Sequence, residues 1–186
     1  MTCTGTDLLP EISTKLEGQC RELALLILDV DGVLTDGRLY FGPDGEVLKA
    51  FHTQDGAAIK MLQSAGIQVA LITGRESAMV EQRAAELGIQ HLYQGTADKT
   101  QALSKLLGKL GIDGRQAAHM GDDLPDLALF NRVGVRFTVP DANPEILARA
   151  DYCTHAPGGH GAVREVCQLI LKAQDRWHQV LAGFDY

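Results

Sequence analysis

Short apolar runs and longer amphipathic stretches take turns along this chain. Leu23 to Val30, Ile67 to Ile72, His91-Leu92-Tyr93, Ala117 to Met120 and Val133 to Val139 have the length and flanking punctuation of buried strands. Between them the apolar period becomes helical. Val80, Ala84 and Leu87 line one face of a helix over Ser77 to Leu87, which Gly88 stops. Leu103, Leu106, Leu107 and Leu110 form one stripe behind a capping Asp98, and Gly111 ends that helix. Further helices are predicted over Glu11 to Arg21, from a capping Asp55 to Ser64, from Leu124 to Asn131 behind Asp123, and from Asn143-Pro144 to Ala150. The last follows Gly161 and sets Val163, Val166, Cys167 and Ile170 on one face. Arg38 to Phe41 and Glu46 to Phe51 read as a hairpin around Gly42-Pro43-Asp44-Gly45. Asp151 to Thr154 reads as a short edge strand, and Gly183-Phe184-Asp185-Tyr186 as an aromatic tail.

Strands alternating with helices predict an α/β fold, a Rossmann-like doubly wound parallel sheet with helices on both faces and a small β-hairpin. A length of 186 residues suits one domain over 1–186. The hairpin, over about 38–51, is too small to stand alone in water and must dock on its own domain or on another protomer.

Composition narrows the function classes. The net charge of −7 argues against a nucleic-acid partner. No stretch approaches the roughly 20 apolar residues of a membrane span, and no secretory signal is visible at the N-terminus. Cys3, Cys20, Cys153 and Cys167 lack paired spacing, the pattern of reduced thiols in a cytoplasmic protein.

The chemistry gathers at the carboxyl ends of the strands, where open α/β sheets bind ligands. Asp29 and Asp31 close the first strand, two positions apart, so that an extended backbone would point both to one face. Thr73 follows the second strand, and Asp122 and Asp123 follow the strand ending at Met120. Lys99 opens a helix, where the dipole disfavours a cation unless an anion lies nearby. Together these residue types suit phosphoryl transfer through an aspartyl phosphate. Asp29 would be the nucleophile and a ligand of Mg²⁺, a hard cation suited to carboxylates. Asp31 would protonate the leaving oxygen, then activate water, and its carbonyl could bind the metal. Asp122 would complete the metal site, and Thr73 and Lys99 would hold the phosphoryl oxygens. His52, His119 and His160 do not form a metal set by spacing.

Asp29-x-Asp31-Gly32, Thr73-Gly74, Lys99 and Gly121-Asp122-Asp123-x-x-Asp126 resemble, in order and type, the four motifs of the haloacid dehalogenase-like phosphatase superfamily. Most of its members carry an inserted cap domain. Here only the hairpin lies between Asp36 and Asp55, and few residues separate Tyr93 from Lys99, which leaves no room for a cap. The chain is similar to the capless branch, in particular the 3-deoxy-D-manno-octulosonate 8-phosphate phosphatase family. Asp29 to Gly37, Asp55-Gly56, Ile72 to Arg75, His91 to Gly95, Met120 to Asp126, Ala150-Asp151-Tyr152 and Gly158 to Cys167 carry that likeness.

The resemblance implies a homotetramer whose hairpins pack together and whose sites are closed by neighbours. It implies a cytoplasmic role in lipopolysaccharide precursor synthesis, with an acidic eight-carbon sugar phosphate as substrate. It assigns His52, Thr53, Gln54, Asp55, Gly56, Lys60, Arg75 and Arg83 to substrate binding, together with Asp31, Gly74, Lys99 and Asp123. Gln54 departs from the pattern, since many members have a basic residue there. A nine-carbon sugar acid phosphate of the sialic acid 9-phosphate type and a non-catalytic tetramerisation module stay open as alternatives. A receiver-type phosphoacceptor also pairs aspartates with Thr and Lys, but lacks the acid/base that Asp31 supplies.

Overall fold

The structure is a computed structural model, and it describes residues 12–184. Helix α1 (Thr14–Arg21) is capped by Ser13, whose hydroxyl accepts from Leu16 N at 3.2 Å, and the predicted start at Glu11 lies outside the described residues. Six strands then build one parallel sheet: β1 (Leu25–Leu28), β4 (Gln68–Ile72), β5 (His91–Tyr93), β6 (Ala117–Met120), β7 (Val135–Thr138) and β8 (Tyr152–Cys153). Their spatial order is β5-β4-β1-β6-β7-β8. A separate antiparallel pair, β2 (Tyr40–Gly42) and β3 (Gly45–Leu48), is the hairpin, shorter at both outer ends than its sequence suggests.

The strands have the composition of a sheet covered on both faces. Alternation divides β1 between two apolar layers. Leu26 and Leu28 pack on the side of α1, α2 (Thr53–Ser64), α3 (Ala78–Leu87) and the later α7 (Ala162–Ala173). Leu25 and Ile27 pack against Ala102, Leu103 and Leu106 of α4 (Lys99–Leu110) and Leu129 of α5 (Leu127–Phe130). The predicted stops hold: Gly88 and Gly111 both take the left-handed conformation as C-caps. Asp98 accepts from Thr100 N at 2.9 Å and caps α4 as expected. Asn143 caps α6 (Pro144–Leu147), which ends short of Ala150.

Three local expectations change. The turn after β1 begins earlier than an extended strand end allows. Val33, Leu34 and Thr35 all donate their N–H groups to Val30 O, at 3.3, 2.9 and 3.0 Å. The segment from Leu124 is a single 3-10 turn to Asp126 before α5 begins. A helix unmarked in the apolar pattern, α8 (Trp177–Ala182), follows α7, with the Arg164 guanidinium 5.8 Å from the Trp177 ring centre. Phe184 behind it is exposed, and the rest of the aromatic tail lies outside the described residues.

Asp55 is the largest correction to local structure. It is not the cap of α2, whose N-cap position is His52. The buried Asp55 carboxylate turns instead to the start of α7, accepting from Arg164 N at 2.7 Å and Gly161 N at 3.3 Å. Gly161 has a positive φ and no side chain with which to cap α7, so a neighbouring helix supplies the acceptor. Burial pushes the Asp55 carboxyl up, against the pull of these hydrogen bonds. Asp55→Ala should therefore cost about 2 kcal/mol in urea unfolding, the penalty of orphaning buried donors. Asp55→Asn, which keeps an acceptor, should cost less; equal stability of all three proteins would contradict the capping role.

Candidate active site

β1 lies between β4 and β6, and the chain leaves it toward β4 but returns on its other side to β6. That reversal opens a crevice at the carboxyl ends of the two strands. Asp29 N donates to Met120 O at 3.0 Å, so the first residue beyond β1 is tied to the end of β6. Asp122 follows two residues beyond β6, where a Cβ on Gly32 would collide with its carboxylate. Only glycine lets these two loops approach so closely, and Gly32 also takes a positive φ of 88°.

The crevice is a cleft of about 690 Å³ lined by Asp29, Asp31, Thr73, Gly74, Arg75, Lys99, Asp122 and Asp123, among others. The predicted phosphoryl-handling residues thus come together. Lys99 is buried and reaches across the cleft floor, its Nζ 2.9 Å from Asp29 Oδ2 and 2.7 Å from Asp126 Oδ1. The anions that offset its place at the head of α4 are these two carboxylates. Burial pulls the Lys99 ammonium down, but Asp29 and Asp126 outweigh it and hold it above its ordinary range.

Asp29 and Asp31 both line the cleft but take different partners. Because the chain coils at Val30, Asp31 turns to Lys49 of the hairpin segment and to Arg75, whose Nε lies 3.5 Å away. The carboxylates that crowd Asp29 are Asp122 and Asp126, with an oxygen from each of the three lying within 4.8 Å of the others. Burial, then the Asp126 charge, push the Asp29 carboxyl up against Lys99. Burial and the charges of Asp29, Asp126 and Asp123 push Asp122 up to about 7. Such a cluster fits a hard divalent cation, which would relieve the repulsion. Asp126 is poorly placed to be a ligand, because both its oxygens are already engaged. Oδ1 takes Lys99 and the ring of His119, and Oδ2 takes the backbone N–H groups of Asp122 and Asp123 at 3.1 and 3.3 Å.

The remaining assignments scatter. His52, Thr53, Gln54, Asp55, Gly56, Lys60 and Arg83 do not line the cleft. Thr53 and Arg83 border a second cleft beside Phe51 and Lys49, with Arg83 stacked 5.8 Å over the Phe51 ring and paired with Glu86 at 2.8 Å. A Cβ on Gly56 would strike that guanidinium. Lys60 lies in a groove between α2 and α8.

Three residues of the site were given no chemical role in the sequence reading. Lys49, with only 1% of its side chain exposed, pairs with Asp31 and with Glu46 at 3.0 Å. Asp126 entered the sequence reading only as the last position of the fourth motif, and His119 only as one of three histidines that form no metal set. A lysine in a hairpin otherwise rich in apolar residues was the one available signal.

A family model for haloacid dehalogenase-like hydrolases matches residues 89–165. The 3-deoxy-D-manno-octulosonate 8-phosphate phosphatase of Salmonella typhimurium is 50% identical over 175 residues, covering 94% of this chain and 90% of that protein. This chain belongs to the 3-deoxy-D-manno-octulosonate 8-phosphate phosphatase family. Within that family, the Yersinia pestis phosphatase structure matches with a TM-score of 0.88 and 47% identity, over 90% of each chain. The Moraxella catarrhalis phosphatase, solved with magnesium ion, phosphate ion and a KDO molecule, matches at 0.89 and 45% identity, over 92% of this chain and 98% of that one.

The charge cluster gives the family site a pH signature in this chain. Carboxyls raised above their ordinary range keep protons that the unfolded chain has already lost. They support the metal-free fold at acid pH, and that support is lost as pH rises through about 7. Mg²⁺ needs the same carboxyls ionised, so its affinity should fall about tenfold per pH unit below that value. The Mg²⁺-induced rise in melting temperature should be larger at about pH 8 than at about pH 5.5, and Asp122→Asn should remove the difference. A wild-type shift independent of pH would contradict the charge cluster as the metal site.

Proposed function

We propose that this chain is a Mg²⁺-dependent phosphatase that hydrolyses 3-deoxy-D-manno-octulosonate 8-phosphate to phosphate and the free sugar acid. The supporting observation is the meeting of Asp29, Lys99 and Asp122 in one cleft, with Asp31 held at its edge. Asp29 attacks phosphorus through a carboxylate oxygen, forming the aspartyl phosphate as the bond to the sugar oxygen breaks. Asp31 gives its proton to that leaving oxygen, then takes one from the water that attacks the phosphorus and frees Asp29. Asp29, the Asp31 carbonyl and Asp122 would hold Mg²⁺, which neutralises phosphoryl charge when bound. Lys99 and Thr73 hold the phosphoryl oxygens, and Arg75, Gly74 and Asp123 border the path of the sugar.

The assembly reading has its own support. Phe41, Val47 and Leu48 of the hairpin are each at least half exposed, an apolar surface of the kind that marks a protein contact. We infer a homotetramer joined through the hairpins. His52, Thr53, Gln54, Lys60 and Arg83, which lie away from their own cleft, would then serve a neighbour's substrate. Among the described residues no helix is long and apolar enough to cross a membrane, which accords with a cytoplasmic enzyme of lipopolysaccharide precursor synthesis.

Phosphate release from 3-deoxy-D-manno-octulosonate 8-phosphate, sialic acid 9-phosphate and p-nitrophenyl phosphate tests the substrate. Strong preference for the eight-carbon compound, abolished by chelator, is the expected result. Better turnover of the nine-carbon sugar would move the substrate, and no turnover of any would favour an assembly module. Asp29→Asn should lower kcat by about three orders of magnitude or more without changing assembly. Phe41→Glu combined with Leu48→Glu should break the assembly in sedimentation velocity; an unchanged particle would remove the hairpin from the interface.

A further inference from the structure

His119 is fully buried on β6, and neither the phosphoryl chemistry nor the metal site uses it. A histidine in a core needs partners, and its satisfaction alone would be unremarkable. The identity of these partners is what matters. His119 pairs in register with Ile27 of β1, and its Nδ1 lies 3.2 Å from Ile27 O. Its Nε2 lies 3.0 Å from Asp126 Oδ1, the oxygen that also receives the Lys99 ammonium. Phe130 meets the ring edge-on at 5.8 Å between centroids, fixing its plane.

Asp126 therefore works as a four-way junction. Each oxygen has two polar partners: the Lys99 ammonium and His119 Nε2 on one, the backbone N–H groups of Asp122 and Asp123 on the other. Burial pushes the Asp126 carboxyl up, but the His119 hydrogen bond and the Lys99 charge overcome it and hold it well below the usual range. Remove His119 and Oδ1 keeps a single donor. Lys99 is shared between Asp126 and Asp29, so a less satisfied Asp126 draws the ammonium toward itself. Lys99 would then sit further from the phosphoryl group that forms on Asp29.

We propose that His119 is a positioning residue of this phosphatase. By donating from Nε2 to Asp126, it sets how Lys99 is divided between Asp126 and the reacting phosphoryl group. The chain of contacts runs from the sheet interior to the nucleophile, His119 to Asp126 to Lys99 to Asp29. Because moving Lys99 spoils its alignment with the in-line transition state more than its hold on the bound phosphate, the effect falls on kcat rather than on KM.

The proposal rests on the reading of Asp29 and Lys99 as reacting groups, so the test includes a control for that reading. p-Nitrophenyl phosphate with saturating Mg²⁺ is the probe, because it reports on the phosphoryl site without the sugar. His119→Phe keeps the ring volume and removes the donor. His119→Gln can reach Asp126 with its amide, whereas the shorter side chain of His119→Asn cannot. We expect His119→Phe and His119→Asn to lose about tenfold or more in kcat with KM changed less than about threefold, and His119→Gln to recover most of that loss. If His119→Phe does not fold, the glutamine and asparagine variants carry the comparison alone. Equal kcat in glutamine and asparagine variants, or a fully active His119→Phe, would show that the histidine only fills the core. Asp29→Asn is the control. Turnover surviving in it would overturn the phosphoryl-transfer reading itself, while an inactive Asp29→Asn beside a fully active His119→Phe would overturn only the role of His119.

Discussion

Negative charge crowded at the end of β1 is the constraint to which the rest of the site answers. Asp29, Asp122 and Asp126 bring oxygens within 4.8 Å of one another in a largely buried place. At such spacing each pair of like charges costs on the order of 4 kcal/mol at an effective dielectric constant near 20. Three such pairs would rival the whole stability of an ordinary domain. The fold answers with donors from several directions: Lys99 from α4, His119 from β6, and two backbone N–H groups from the turn after β6. These donors gather on Asp126 and reach Asp29 only through Lys99. Asp122 receives none of them, and its carboxyl stays raised to about 7. What the protein leaves unneutralised is the share that a divalent cation can take.

The sheet makes that crowding possible. Parallel strands all deliver their carboxyl ends to one rim, and the reversal of strand order beside β1 leaves a gap there. Loops from β1 and β6 can then touch, as Gly32 and Asp122 do. Thr73 and Lys99 arrive from the neighbouring strands β4 and β5 by the same rule. The helices behind the sheet hold the loops by long-range ties, of which the Asp55 grip on α7 is the clearest.

Much of this was legible in the sequence because it depends on local pattern. The strand runs, the Asp98 cap and the Gly88 and Gly111 stops each follow from a few adjacent residues. The rim residues follow from one rule about parallel sheets. What stayed hidden depends on contacts across long separations. Asp55 has every local feature of an N-cap, and nothing near it announces that its partners are Gly161 and Arg164. Asp126 fits a helix start so well that its bond to Lys99 is masked. Asp31 lines the cleft with Asp29, but its pairing with Lys49 and Arg75 stayed hidden because the strand stops at Leu28, and the three N–H groups that converge on Val30 O turn the chain. Helix α8 gave no apolar stripe because none of its residues is buried.

Lys49 links two parts of the molecule that otherwise look independent. The hairpin presents its apolar side chains outward, yet its lysine runs inward to end between Asp31 and Glu46. Glu46 in turn accepts from Ser77 at the head of α3, at 2.6 Å. The hairpin is thus tethered by charge at its root and free of the core at its tip. On the proposed reading, a surface that seats the tip would also bear on the carboxylate of Asp31 at the root, and quaternary contact and proton transfer would share one mechanical element.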